Sequence, residues 1–251
     1  NEESAKLRSV QAVLDADANQ NGKAIGLRGN MACEKPRGFR LQAKVMGFDA
    51  VDLGSNSEEF WFWIKDSGLP GVCHCSHAAL ATGKVSIPFP FQPDMIMVAM
   101  GMADYEPVGT GKYEMKDNKA AGTLELTLDG KGADGGAVKR TVVFKRNKAA
   151  RAGEPQVVGH ILRDSAGKVV CEARVKAVHD EEGLKVPSTV ELSWPEQKAS
   201  MKLMLSGVKV NGIDRSFSAD LFTRRPRRGV RSYDLATRRV DGLETTRASG
   251  R

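Results

Sequence analysis

Long apolar runs are missing from this 251-residue chain: none approaches the roughly 20 residues that a membrane-crossing helix requires, so no helical span is expected within it. Signatures of common chemistries are missing too. No serine stands in a Gly-x-Ser-x-Gly elbow, and no glycine-rich phosphate loop precedes a helix, since Gly26, Gly29, Gly109 and Gly111 fall in strand or turn contexts. Paired Cys-x-x-Cys knuckles are absent, which removes the usual structural zinc pattern. The net charge of +7 suggests a nucleic-acid surface until it is located. From Arg224 onward nine arginines face three acids, so the tail carries +6 of it and the body is nearly neutral. A body without a basic face is not expected to bind nucleic acid.

What is present is alternation. In residues 38–47, Phe39, Leu41, Ala43 and Val45 point one way and Arg40, Gln42 and Lys44 the other, the period of a strand with one wet face. In residues 58–65, Phe60, Phe62 and Ile64 alternate with Trp61 and Trp63, so both faces are bulky and each requires a cover. Further strands are predicted at 24–34, 49–54, 71–77, 124–128, 138–146, 156–163, 169–177, 188–194 and 201–205, giving ten or eleven in all. Leu7, Val10, Val13 and Leu14 fall at helical spacing and predict a helix over residues 2–14, followed by a loop over Asp15–Lys23. The Pro-rich run at 86–92 breaks the rhythm. After it, Pro93 to Gly101 reads as a short apolar helix carrying Met95, Met97 and Met100, with Met102 just beyond.

The expected fold is therefore mainly β with few helices (α+β): a large curved antiparallel sheet forming an incomplete β-barrel, covered by an N-terminal helix and a short central helix. All-β units of this length are common, and no linker-like stretch interrupts the chain, so a single domain over 1–251 is expected, with a basic, mobile tail at 224–251. That tail could touch an anionic membrane surface, or simply be solvated.

Four places in the chain carry residue types with chemical potential. In Cys73-His74-Cys75-Ser76-His77 a strand turns Cys73, Cys75 and His77 to one face and His74 to the other, so at most three metal ligands converge; no metal or cofactor is assigned. Cys33, Cys73, Cys75 and Cys171 allow three full disulfide pairings that sequence does not choose between. Asp52 with Glu58 or Glu59 could form an acid/base pair, but carboxylates beside Gly-Ser-Asn turns are ordinarily capping or solvated groups. His160 and His179 sit in strand-like stretches as ordinary structural histidines. No enzyme is expected.

The segment Lys35-Pro36-Arg37-Gly38-Phe39-Arg40-Leu41, the strand pair from Asp52 to Ile64, and the late strand ending Val208-Lys209-Val210-Asn211 ahead of Phe217 and Phe222 resemble the LolA/LolB-like superfamily of bacterial outer-membrane lipoprotein-sorting proteins. The resemblance covers most of the chain, although the Pro-rich middle and the Arg-rich tail have no counterpart in it. It implies an incomplete barrel closed by helices, whose apolar cavity binds acyl chains of lipids or lipoproteins, in the periplasm or cell envelope, with a lipid anchor upstream of Asn1 as one form. The expected cavity lining is Phe39, Leu41, Phe60, Phe62, Met201 and Leu203. The alternative is a structural or adaptor envelope protein with a filled core, binding a protein partner through exposed Trp61 or Trp63.

Overall fold

Two-residue turns organise the chain. In the computed structural model, described for residues 5–85, 87, 93–103, 113–146, 153–213 and 220–241, Asn21-Gly22 (φ 52° and 82°), Met46-Gly47 (49° and 86°) and Glu182-Gly183 (52° and 78°) place both residues at positive φ. Such turns match the twist of antiparallel strands, and glycine at the second position makes them cheap. They join β1 (Ser9–Gln20) to β2 (Lys23–Glu34), β3 (Gly38–Val45) to β4 (Phe48–Ser55), and β11 (Val169–Glu181) to β12 (Leu184–Trp194). The other elements are β5 (Glu59–Ile64), β6 (Val72–Ser76), helix α1 (His77–Leu80), helix α2 (Pro93–Ala99), β7 (Tyr113–Asn118), β8 (Thr123–Lys131), β9 (Ala137–Lys145), β10 (Val157–Asp164), β13 (Ala199–Val210), β14 (Ser232–Asp234) and β15 (Arg239–Asp241).

The 15 strands of the described residues form one open sheet in the order β15-β14-β6-β5-β4-β3-β2-β1-β13-β12-β11-β10-β9-β8-β7. Every neighbouring pair is antiparallel except β14 on β6. Two meanders thus spread from a central seam, where β1 pairs with β13 from Val10↔Val210 to Gln20↔Ala199. A sheet of this width cannot remain flat, because each strand is rotated against the last. It curls around its apolar face without closing into a barrel.

The helix expected over residues 2–14 is corrected from Ser9 onward: Ala5 and Lys6 are helical and residues 2–4 lie outside the described residues, but the chain is strand from Ser9, and the loop expected at Asp15–Lys23 shrinks to the Asn21-Gly22 turn. Val10, Ala12, Leu14 and Ala16 are buried while Val13 is 44% exposed, so the governing period is two. The inner face is covered instead by α2, which lies against β10 and β11 and buries Met95, Ile96, Met97, Ala99 and Met100 in the common core. The Pro-rich run at 86–92 lies outside the described residues except for Ile87.

The outer face has a different cover. Trp61 lies over Gly54, whose missing Cβ would fall within the indole ring, and reaches Arg40, whose guanidinium sits 5.3 Å from the ring centre. Arg40 donates to Asp52 Oδ2 at 2.9 Å and to the Thr223 carbonyl at 3.0 Å. Arg227 stacks on Trp63 at 3.9 Å and bonds Asp52 and Asp49, while Arg224 meets Glu59 at 3.0 Å. The segment expected as a mobile tail therefore runs, over residues 220–241, as a strap across the outer face of β3–β5, and its end adds β14 and β15 to the sheet edge. Its arginines are drawn there by acids and indole faces that would otherwise be desolvated or exposed without partners. Residues 242–251 and Phe217 lie outside the described residues.

Candidate functional site

Registers across the sheet put Leu126, Val142, His160, Ala173, Leu192 and Met201 on one transverse row of the inner face. A second row runs Cys33, Phe39, Ser55, Phe60 and Cys75 on the other arm. Between the two arms lies a cavity of about 460 Å³. Its floor is formed by Leu126 and Leu128 of β8, Val138 and Val142 of β9, and Leu162 of β10. Its roof is formed by Leu80 of α1, Met95 and Val98 of α2, and Val85 and Ile87 between them, with Phe60 reaching in from β5.

The arms touch at one rim. The β8–β9 turn, Gly132 to Gly136, approaches the end of α1 so closely that a Cβ on Gly135, which has φ 78°, would strike the Ala81 carbonyl oxygen. Polar groups are placed mainly around this rim. Asp134 Oδ1 accepts the Gly136 N–H at 3.0 Å, Asp164 Oδ1 accepts from Ala166 and Lys168 at 2.9 Å, and Arg140 donates to the Lys131 carbonyl at 2.9 Å. Asp94, in the first turn of α2, also borders the space. Two histidines line it. Burial pushes the His160 imidazole down to about 4. Burial also lowers His77, partly countered by its 2.9 Å bond to the Asn56 carbonyl. Both rings therefore favour the neutral form, which keeps the lining weakly polar.

Of the six residues expected to line a cavity, only Phe60 borders this one. Phe39, Leu41, Phe62 and Leu203 are all buried in the core, and Met201 packs against it. All six lie on the inner face, but four are already packed against neighbours. The free space instead lies over β7–β10, of which β8, β9 and β10 are expected from sequence only as strands and β7 is not expected at all.

The other candidates are dispersed. Cys73 and Cys75 point into the core, His74 points outward with Nδ1 3.5 Å from Glu59, and His77 opens α1, so the five-residue cluster is split between two faces and a helix. All four cysteines are free thiols, and burial pushes Cys33 and Cys171 up to about 12 and Cys73 to about 11. Asp52 is committed to Arg40 and Arg227 beneath the strap. Burial tends to raise Glu59, but bonds from His74 and Arg224 outweigh it and hold the carboxyl below its usual range. The docking surface imagined on Trp61 or Trp63 is also corrected: Trp61 is 1% exposed, and Trp63 lies under Arg227. Among the described residues no helix is long and apolar enough to cross a membrane.

No family model and no curated protein matches the sequence. The fold, however, is shared. A domain from Vibrio parahaemolyticus named for outer membrane lipoprotein sorting superposes with a TM-score of 0.56 at 11% identity, covering 88% of this chain and 96% of that one. A LolA superfamily protein from Nitrosomonas europaea superposes at 0.54 with 10% identity, covering 89% and 95%. A DUF1329 family protein from Desulfovibrio piger superposes at 0.53 with 7% identity, covering 86% and 92%. At these identities the likeness is one of fold, and the fold is LolA-like.

Proposed function

We propose that this chain is a non-enzymatic lipid- or lipoprotein-binding protein of the bacterial cell envelope, holding acyl chain in the space between the arms of its sheet. The observation that carries the reading is the 460 Å³ apolar cavity on the inner face of a LolA-like half-barrel. Ligand sites are concave, mostly apolar and of a few hundred Å³. The mechanism is burial: each methylene withdrawn from water is worth about 0.8 kcal/mol, offset by whatever parts the two arms. The polar residues around the cavity serve turns and rim contacts, an arrangement suited to holding a ligand. The lipoprotein-sorting name of the Vibrio neighbour supports an extracytoplasmic site of action. Phe39, Leu41, Phe62 and Leu203 then serve the binding wall from behind, by fixing the curvature against which Phe60 and α2 enclose the ligand.

Native mass spectrometry of gently purified protein tests this. A copurifying lipid, or one-to-one uptake of a fluorescent fatty-acyl probe, is expected. Failure to bind any amphiphile, with the fold intact, would remove the reading. The adaptor alternative is left with little to dock on, because Trp61 is buried and the half-buried Trp63 already carries the Arg227 guanidinium on its ring.

A further inference from the structure

The half-barrel is unevenly filled, and this bears on what can enter. Over β1–β5 and β12–β13 the inner face is solid: Phe39, Phe62, Leu192 and Leu203 are at most 1% exposed. At the β7–β10 arm, among the described residues, lies the cavity of about 460 Å³. A methylene takes about the same liquid volume as a water molecule, ~30 Å³, so the space holds about 15 of them. That is one acyl chain. Two or three chains of ordinary lipid length would require the packed core to open.

Charge at the border narrows the class further. The charged side chains among the described lining residues are Asp94, Asp134 and Asp164 against Arg140, three negative and one positive. Arg140 already donates to the Lys131 carbonyl. A carboxylate or phosphate head entering here meets a net negative border in a partly desolvated setting.

Resting on the lipid-binding reading above, we propose that the cavity takes one single-chain amphiphile at a time, with an uncharged or cationic head group. The delipidated full-length protein is titrated at neutral pH, below micelle concentrations, with monomyristoylglycerol, myristate, tetradecylamine and dimyristoylphosphatidylcholine, and stoichiometry is read by native mass spectrometry. One monoacylglycerol or one alkylamine per protein is expected. Myristate should bind about tenfold more weakly, the scale of repulsion from such a border in a screened setting. In an Asp94→Asn/Asp134→Asn variant that gap should narrow. Leu126→Trp, which fills the space from a half-buried position on β8, should abolish uptake while leaving the far-ultraviolet circular dichroism unchanged. Two-chain phospholipid binding as tightly as the monoacylglycerol overturns the one-chain inference and leaves lipid binding standing. Myristate binding best overturns the head-group inference alone. No uptake of any of the four removes the lipid reading itself.

Discussion

Replacing Asp52 by alanine should loosen the outer face more than any other single charge removal among the described ion pairs. Asp52 and Arg40 have side chains only 9% and 7% exposed, and the carboxylate also receives Arg227. Desolvation depresses the Arg40 guanidinium, helped by the nearby Arg225 and Arg227, and Asp52 offsets part of that fall. Without that partner a cation stays under Trp61 and the strap with only the Thr223 carbonyl. Removing one member of a buried pair costs about 3–5 kcal/mol, chiefly as the price of an uncompensated charge. By contrast Lys168 and Glu196 are more than half exposed, and Glu196→Ala should cost under about 1 kcal/mol despite a shorter 2.7 Å contact. Urea unfolding with linear extrapolation measures both. An Arg40→Met/Asp52→Leu double variant should recover most of the loss, because it removes the stranded charge instead of creating one. A cost below about 1 kcal/mol for Asp52→Ala, or no recovery in the double variant, would refute the assignment of this pair as the strap's anchor.

Gly54→Ala should destabilise by about 1–3 kcal/mol and shift Trp fluorescence, since its methyl would occupy space held by the Trp61 ring; an unchanged melting temperature and spectrum would show that the ring is free to move. His160 should make stability pH-dependent. Its folded pKa of about 4 lies below the ordinary 6.5, so the unfolded chain takes up the proton first and stability falls as pH drops from about 6.5 toward 4, by about 3 kcal/mol in all. In His160→Gln that slope should flatten, and an NMR titration of the ring near pH 6.5 in the native protein would contradict the burial. Ellman's reagent should find almost no reactive thiol in the native protein and all four after denaturation, because every cysteine is buried; rapid native labelling would show an opening that the packed core does not contain.

Strands with large apolar residues at alternate positions were legible in sequence. β3, β5 and β13 carry Phe, Leu, Ile or Met on the inner side, and the expected boundaries of β2 to β6 fall within two residues of those observed. The helix opening at Pro93 was legible from its proline and following apolar run. β1 was misread because its inner positions include Ala12, Ala16 and Ala18, too small to mark a period, while Val13 and Leu14 imitated a helical stripe. The Asn21-Gly22 pair, a strong hairpin signal, was available and points to the correct answer. The cavity was harder to place. Alternation tells which face is apolar, but only the path of α2 decides which part of that face is filled, and tertiary packing sets that path. The strap was foreshadowed by the need to cover Trp61 and Trp63, yet an arginine run looks solvated until Asp49, Asp52 and Glu59 are seen side by side.

The seam between β1 and β13 has a consequence for how the molecule comes into being. Because the first strand lies in the middle of the sheet, one of its edges waits for a partner beginning at residue 199. The β1–β6 meander can assemble from local hairpins during synthesis, but it emerges with that edge bare. Joining the arms closes a loop of nearly 200 residues, a slow and non-local step. Until β13 is made, the bare edge of β1 is a template on which a wrong strand can pair, so the seam is the place where misassembly of this sheet would begin.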